Sequence, residues 1–251
     1  MRATILKFIS LKRFVAFRYR WSLWLGLLFC FVAVALYPVS IRLTRVLGLV
    51  LFVLLWLGFL FLYWNRRNVH ITWFVGTGLC LGFLCFPGRP VPEVTALRRD
   101  YVTALRRYEG IAYSWGGESY LGIDCSGLIR RGLIEASFWR GIETLNPGLV
   151  RYALTLWWND CSAKALGEEY RQITTHLFDA SCVNALDYSV IQPGDIVVTR
   201  GGAHVMAYLG ETRWIEADPG VGRVICVGAP SADNSWFTIP VKVLRWRILN
   251  P

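Results

Sequence analysis

Not one Asp or Glu occurs before Glu93, and the same N-terminal third carries 11 of the 27 Lys and Arg residues, all within positions 1–90. Charge is scarce overall: 18% of the 251 residues are charged and 55% hydrophobic, with a mean hydropathy of +0.41. That composition excludes a disordered chain and argues against a wholly soluble one. A net charge of +10 would suit a nucleic-acid partner, but residues 91–251 hold 16 basic against 17 acidic residues, a net charge of −1. The excess therefore lies in the apolar third, as at membrane flanks, and nucleic acid is excluded as a partner. Histidine is also rare, with three in the chain, and none of the seven cysteines forms a Cys-x-x-Cys pair. Zinc-ligand spacing is thus missing, and neither metal nor cofactor is expected. There is no internal repeat and no low-complexity segment.

What the first third does contain is three uncharged apolar runs, Trp21–Tyr37, Val46–Trp64 and Val69–Phe86, of 17, 19 and 18 residues. As helices these span roughly 26–28 Å, close to a bilayer core. Trp21, Tyr63 and Trp64 mark run ends, where interfacial rings settle. Residues 1–90 are therefore expected to be a three-span membrane region. Arg2, Lys7, Lys12, Arg13, Arg18 and Arg20 precede the first run, and Arg66 and Arg67 separate the second from the third. Arg42 and Arg45 alone separate the first from the second. The positive-inside rule then places the N-terminus and the 65–68 loop in the cytoplasm and residues 91–251 on the outer side. The linker 87–92 contains Pro87, Pro90 and Pro92, and its six residues reach no more than about 20 Å.

Beyond the linker, apolar residues Val94, Leu97, Tyr101, Leu105 and Tyr108 recur at helical steps, predicting a helix over 93–109 that stops at Gly110. A second helix is predicted to start at Cys125. The stretch 139–190 reads as helical and irregular, with a run from Pro147 to Trp157 and a further helix over 163–172. A disulfide between Cys161 and Cys182 would close this stretch if the domain faces an oxidising space. From Pro193 the pattern becomes β, with strands predicted at 195–199, 203–209, 213–217, 223–227 and 241–248, separated by Gly-rich turns. Helices followed by consecutive strands predict an α+β domain with an antiparallel sheet.

The chemistry concentrates in two blocks. Tyr113-Ser-Trp-Gly-Gly and Gly122-Ile-Asp-Cys-Ser-Gly-Leu-Ile129 place Cys125 at the first turn of a helix. There, free backbone N–H groups stabilise a thiolate and can donate to an oxyanion. Downstream, Pro193-Gly-Asp-Ile-Val-Val precedes Ala203-His-Val-Met-Ala-Tyr-Leu-Gly210, with His204 at a strand start. A sheet packed on the helix would set His204 against Cys125 as general base beside nucleophile. His70 falls in an apolar run and His176 in irregular sequence, which leaves His204 as the candidate. Glu216, in Trp214-Ile-Glu-Ala217 on the next strand, is the candidate to orient the imidazole, since antiparallel neighbours put side chains about 5 Å apart. Asp195 reads as a turn residue.

These blocks, Tyr113-x-Trp-Gly-Gly, Asp124-Cys-Ser-Gly-Leu, Pro193-Gly-Asp and His204-Val-x-x-Tyr-Leu-Gly, resemble the NlpC/P60 family of papain-like cysteine peptidases over about 105–250. The stretch 139–190 is longer than usual between nucleophile and histidine and is read as an insertion. The resemblance implies a papain-like helix pair and antiparallel sheet attached to three transmembrane helices. It implies Cys125 as nucleophile, His204 as base, and Tyr113, Asp124 and Ser126 lining the substrate pocket, with Asp124 able to meet a free substrate amine. The third position, often His or another polar residue, falls here on Glu216. The implied substrate is the stem peptide of bacterial peptidoglycan, met in the wall or as a lipid-linked precursor, and the implied location is the bacterial inner membrane with the hydrolase domain on the periplasmic side. Two other functions fit the residues: acyl chemistry on membrane lipid or lipidated protein by the same dyad, and a non-enzymatic membrane scaffold.

Overall fold

The computed structural model describes residues 2–90 and 93–250, with side chains from Phe17 onward. Positions 91 and 92 of the linker lie outside the described residues, as do the side chains of Arg2, Lys7, Lys12 and Arg13. The chain divides into two compact units: one runs to Tyr37 and resumes over Arg42–Phe83, and the other joins Pro38–Ile41 to everything from Leu84 onward.

The first unit consists of α1 (Arg2–Leu36), α2 (Arg42–Leu62) and α3 (Arg67–Cys85). Phe17–Leu36, Arg42–Leu62 and Arg67–Cys85 are each long and apolar enough to cross a membrane. Leu, Val and Phe cover α2 on every side beyond its first turn, where Arg42, Thr44 and Arg45 lie. Aromatic and polar contacts join neighbours: the Trp24 indole donates to Leu55 O at 3.1 Å, the Trp56 indole to Thr77 Oγ1 at 3.2 Å, and Phe59 stacks on Trp73 at 4.5 Å. α1 is longer than the apolar run inside it, because Arg and Lys are themselves good helix formers and nothing before Tyr37 breaks the helix.

The second unit is α+β. It begins with α4 (Val94–Arg106), the hairpin β1 (Glu118–Ser119) and β2 (Gly122–Ile123), then α5 (Cys125–Glu143), α6 (Pro147–Trp158) and α7 (Ala163–Gly167). The strands β3 (Thr174–Ala180), β4 (Ile196–Thr199), β5 (Val205–Gly210), β6 (Arg213–Asp218), β7 (Arg223–Gly228) and β8 (Val241–Trp246) follow. They form one antiparallel sheet in the order β3-β8-β4-β5-β6-β7. Alternation along the strands sorts side chains to two faces. Ile196, Val198, Val205, Ala207, Ile215 and Leu244 meet the helices through Leu105, Leu128, Ile129 and Leu133. Val197, Met206, Tyr208, Trp214 and Val243 meet Val183, Leu186, Ile191 and Phe237 on the other face. α4 lies close against α5 because Gly132 offers no side chain: a Cβ there would come within 2.7 Å of Leu105 Cδ2.

Three expectations are corrected within 139–190. The helix expected over 163–172 stops at Gly167, since Glu169 and Arg171 take left-handed φ values of 53° and 52° and the chain turns. The irregular stretch hides the edge strand β3, which pairs with the last strand β8 and not with a sequence neighbour. Its half-exposed Thr-Thr-His-Leu-Phe-Asp lacks the apolar signal of the interior strands. The disulfide is not formed: among the described residues no two cysteines are bridged. Cys161 is buried in the cluster on the helix-covered face, whereas Cys182 adjoins Val183 in the cluster on the opposite face, so the sheet separates them.

Candidate functional site

Backbone pairing shapes the loop ahead of α5. Tyr113 N–H donates to Gly222 O at 2.8 Å beside β7, Ser114 N–H to Ile123 O at 3.1 Å, and Gly117 N–H to Ser114 O at 2.8 Å. The loop so formed delivers Asp124 as the N-cap of α5. Its Oδ1 accepts from Gly127 N–H at 2.6 Å and from the Ser126 hydroxyl at 3.0 Å, and its Oδ2 accepts from Gly116 N–H at 2.9 Å. Three internal donors thus hold Asp124 as a cap, and Ser126 is spent on the same carboxylate. A side chain at position 127 would strike Gly117 O, so the loop and the first turn of α5 close against each other only with glycine there. Cys125 is the first residue of that helix, 9% exposed, with the helix N-terminus behind its sulfur.

His204 sits one residue ahead of β5 and is held by its backbone. Its N–H donates to Thr199 Oγ1 at 3.0 Å, and Thr199 N–H donates back to His204 O at 3.0 Å across the β4–β5 turn. Gly202 makes this turn possible: its φ is +78°, and a Cβ would come within 2.5 Å of Lys164 on α7. The imidazole is 1% exposed. Its Nε2 lies 2.5 Å from Glu216 Oε2 on β6, and the imidazole is within electrostatic reach of the Cys125 side chain. Burial by itself would lower the His204 pKa. The hydrogen bonds and negative charges of Cys125 and Glu216 outweigh it and raise the pKa to about 9. The structure therefore brings Cys125, His204 and Glu216 into one buried line. Tyr113 stands beside it: burial first, then the charges of Cys125, Asp124 and Asp218, push its phenol up to about 12.

Two residues at this line were not anticipated. Asn234 Nδ2 donates a short hydrogen bond to Glu216 Oε1, while its Oδ1 accepts from Trp236 N–H at 2.9 Å. Trp236 then stacks on the His204 ring, centroids 4.4 Å apart and planes 20° from parallel. Glu216 is thus tied at both oxygens with 0% exposure, and the imidazole is covered on one face. A sequence signal did exist: Asn followed two residues later by Trp, in a polar turn between two strands, is an Asx turn presenting an aromatic ring. Asp195 is a turn residue as read, closing the Gln192–Asp195 turn with its N–H donating to Gln192 O at 2.9 Å and its Oδ2 accepting from Gln192 N–H at 2.8 Å; it is also fully buried, with Arg245 donating to both its oxygens at 2.7 Å and Arg98 at 3.7 Å. That cluster joins α4, β8 and the Pro193 turn and is separate from Cys125. Among the described residues no His, Cys, Asp and Glu group is arranged to hold a metal.

The sequence model of the NlpC/P60 family matches residues 110–236, half of the chain. A search of curated proteins gave no match. Among solved structures, NlpC2 from Trichomonas vaginalis is 17% identical with a TM-score of 0.41, over 65% of this chain and 50% of that one. The peptidoglycan hydrolase RipB from Mycobacterium tuberculosis is 20% identical with a TM-score of 0.39, over 61% and 67% of the two chains. The P60 domain of the antigen MAP1204 from M. avium subspecies paratuberculosis is 18% identical with a TM-score of 0.39, over 63% and 98%. This chain thus spans half the length of the first of these. With its motif blocks inside the matched region and an α+β fold around them, the chain belongs to the NlpC/P60 family.

Proposed function

We propose that this chain is a membrane-anchored cysteine hydrolase that cleaves an amide bond in the stem peptide of bacterial peptidoglycan. The observation that carries the reading is the buried line Cys125–His204–Glu216 at the start of α5. With Nε2 committed to Glu216, Nδ1 shares its proton with the Cys125 sulfur, and Glu216 favours the imidazolium that results. The thiolate attacks the peptide carbonyl, and first-turn N–H groups of α5 receive the oxyanion. His204 then gives its proton to the leaving amine, and a Cys125 thioester remains. Water attacks that thioester with His204 taking one of its protons, which releases the carboxylate and restores the thiol. Membership of a family typical of peptidoglycan hydrolases supports the substrate, and RipB among the similar structures carries that description.

The anchor is the three apolar helices, and the location proposed is the bacterial cytoplasmic membrane with the hydrolase unit outside. Basic residues before α1 and at Arg66 and Arg67 support this orientation. The strap Pro38–Ile41, which follows α1 yet belongs to the hydrolase unit, puts the α1–α2 connection and that unit on the same side. A chain that leaves that unit at Ile41 and returns at Leu84 makes an even number of crossings between, so α2 and α3 insert together.

The test is incubation of the full chain, in detergent micelles, with muropeptides and separately with phospholipid vesicles, read by mass spectrometry against Cys125→Ala. New peptide ends that require Cys125 are expected. Released fatty acid with intact muropeptides would replace this reading by lipid acyl chemistry.

A further inference from the structure

The segment between α1 and α2 does more than connect them. Val39 forms an antiparallel bridge with Gly117, Ser40 N–H donates to Gly116 O at 2.8 Å, and Glu118 N–H donates to Pro38 O at 3.1 Å. Pro38–Ile41 is thus an added strand on the free edge of β1, whose other edge pairs with β2. The fit is close. A Cβ at Gly122 would lie 3.3 Å from Pro38 Cβ, and one at Gly116 would lie 3.2 Å from Val39 Cγ1.

The peptide so gripped is the one that holds the cap of α5. Gly116 uses its carbonyl for Ser40 and its N–H for Asp124 Oδ2, and Gly117 O accepts from Asp124 N–H at 3.0 Å. From the strap to the sulfur the path is Ser40, Gly116, Asp124, Cys125, each step a backbone or cap hydrogen bond and the last a covalent bond. Gly116 has φ +71°, a conformation a glycine leaves at little cost unless something retains it. The hairpin's other side is held independently: Tyr120 in its turn stacks on Tyr108 at 4.3 Å and donates to Glu135 at 3.3 Å. On the Gly116–Gly117 side the strap adds its bonds to Gly116 O and Glu118 N–H to those from Ser114 and Asp124.

We propose that Pro38–Ile41 is a positioning element of the catalytic centre: an edge strand, supplied from between the first two helices, that holds the Gly116–Gly117 peptide against Asp124 and so sets the first turn of α5 around Cys125. The site of this protein is therefore assembled from residues on both sides of α2 and α3 in sequence. This rests on Cys125 being the nucleophile, the reading argued above.

Ser40→Pro in the full chain removes the one N–H that holds Gly116 O, while Ser40→Ala keeps it. Relative to Ser40→Ala, kcat on muropeptide should fall about tenfold, as for one lost positioning hydrogen bond, with KM unchanged. Alkylation of Cys125 by iodoacetamide should slow by a similar factor. A strap that merely stiffened the fold would lower the melting temperature and leave both rates of the folded protein alone, and that result overturns the proposal. Alkylation needs no substrate. If muropeptide stays intact while alkylation depends on the Ser40 amide, the substrate reading fails and the positioning role stands. Hydrogen exchange on the unaltered chain covers the case in which Ser40→Pro does not fold. The Ser40 and Glu118 amides should exchange as slowly as that of Ile123, and fast exchange at both also overturns the proposal.

Discussion

Cys125 and Cys226 illustrate how position within the fold separates one thiol from another. Cys125 begins a helix beside His204, whereas Cys226 lies on β7, where burial, and then Glu109, pushes its thiol up to about 11. Cys125→Ala should cost at least about a thousandfold in rate with the fold retained, and Cys226→Ala should leave the rate unchanged; steady-state kinetics beside circular dichroism checks both. The His204 pKa is raised, so the imidazolium persists up to about pH 9, and the basic limb of the pH–rate profile is expected there. Glu216→Gln removes one of the charges that raise it. The limb should move to lower pH and the rate should fall, and an unmoved limb would show that Glu216 does not act on His204. The same shift links to stability. A group whose folded pKa lies above its ordinary 6.5 stabilises the fold fully below that pH and loses the contribution as pH rises through about 9. Denaturant midpoints should therefore decline between pH 6.5 and 9 in the parent chain and decline less in Glu216→Gln.

Among the elements, α5 is placed by a cap at one end and by buried charge along its length. Arg130 donates to Asp160 at 2.6 Å and to Leu156 O at 2.8 Å, and pairs with Glu118 at 3.0 Å, so it ties α5 to α6 and to the hairpin β1–β2. Asp195 does the same for α4 and β8 through Arg98 and Arg245. Asp195→Ala should destabilise the second unit by about 3 kcal/mol, because it leaves two guanidinium groups, each about a tenth exposed, without their carboxylate. Thermal or urea unfolding reads this. The position is remote from Cys125, so the alkylation rate of the folded variant should match the parent.

For the molecule as a whole, the strap makes topology a single question. Pro38–Ile41 and the rest of the second unit share one side of any membrane that α2 and α3 cross. A reporter active only after export, fused after Pro251, should be active, and one fused within the 65–68 loop should be silent. Activity of a cytoplasm-only reporter after Pro251 would reverse the orientation and remove the cell-wall substrate with it.

Much of this was legible in the amino-acid order, because the relevant physics is local. Apolar runs of bilayer length, steps of three and four along α4, and alternation along β4 to β8 all show at short range. So did Asp-Cys-Ser-Gly as a capped helix start and His204 at a strand entrance, since caps and turns use neighbouring residues. What lay beyond the sequence depends on long-range pairing. β3 finds its partner in β8 across more than sixty residues, Asp195 finds charge on two distant elements, and Asn234 reaches Glu216 only because the turn after β7 folds back over β6. Cys161 and Cys182 looked close along the chain, yet the sheet runs between them. Tertiary structure alone showed that residues between two apolar helices pair with the edge of the loop ahead of α5. An edge strand is recognised through backbone N–H and C=O groups, which every sequence carries alike, so only the fold can say which edge it joins.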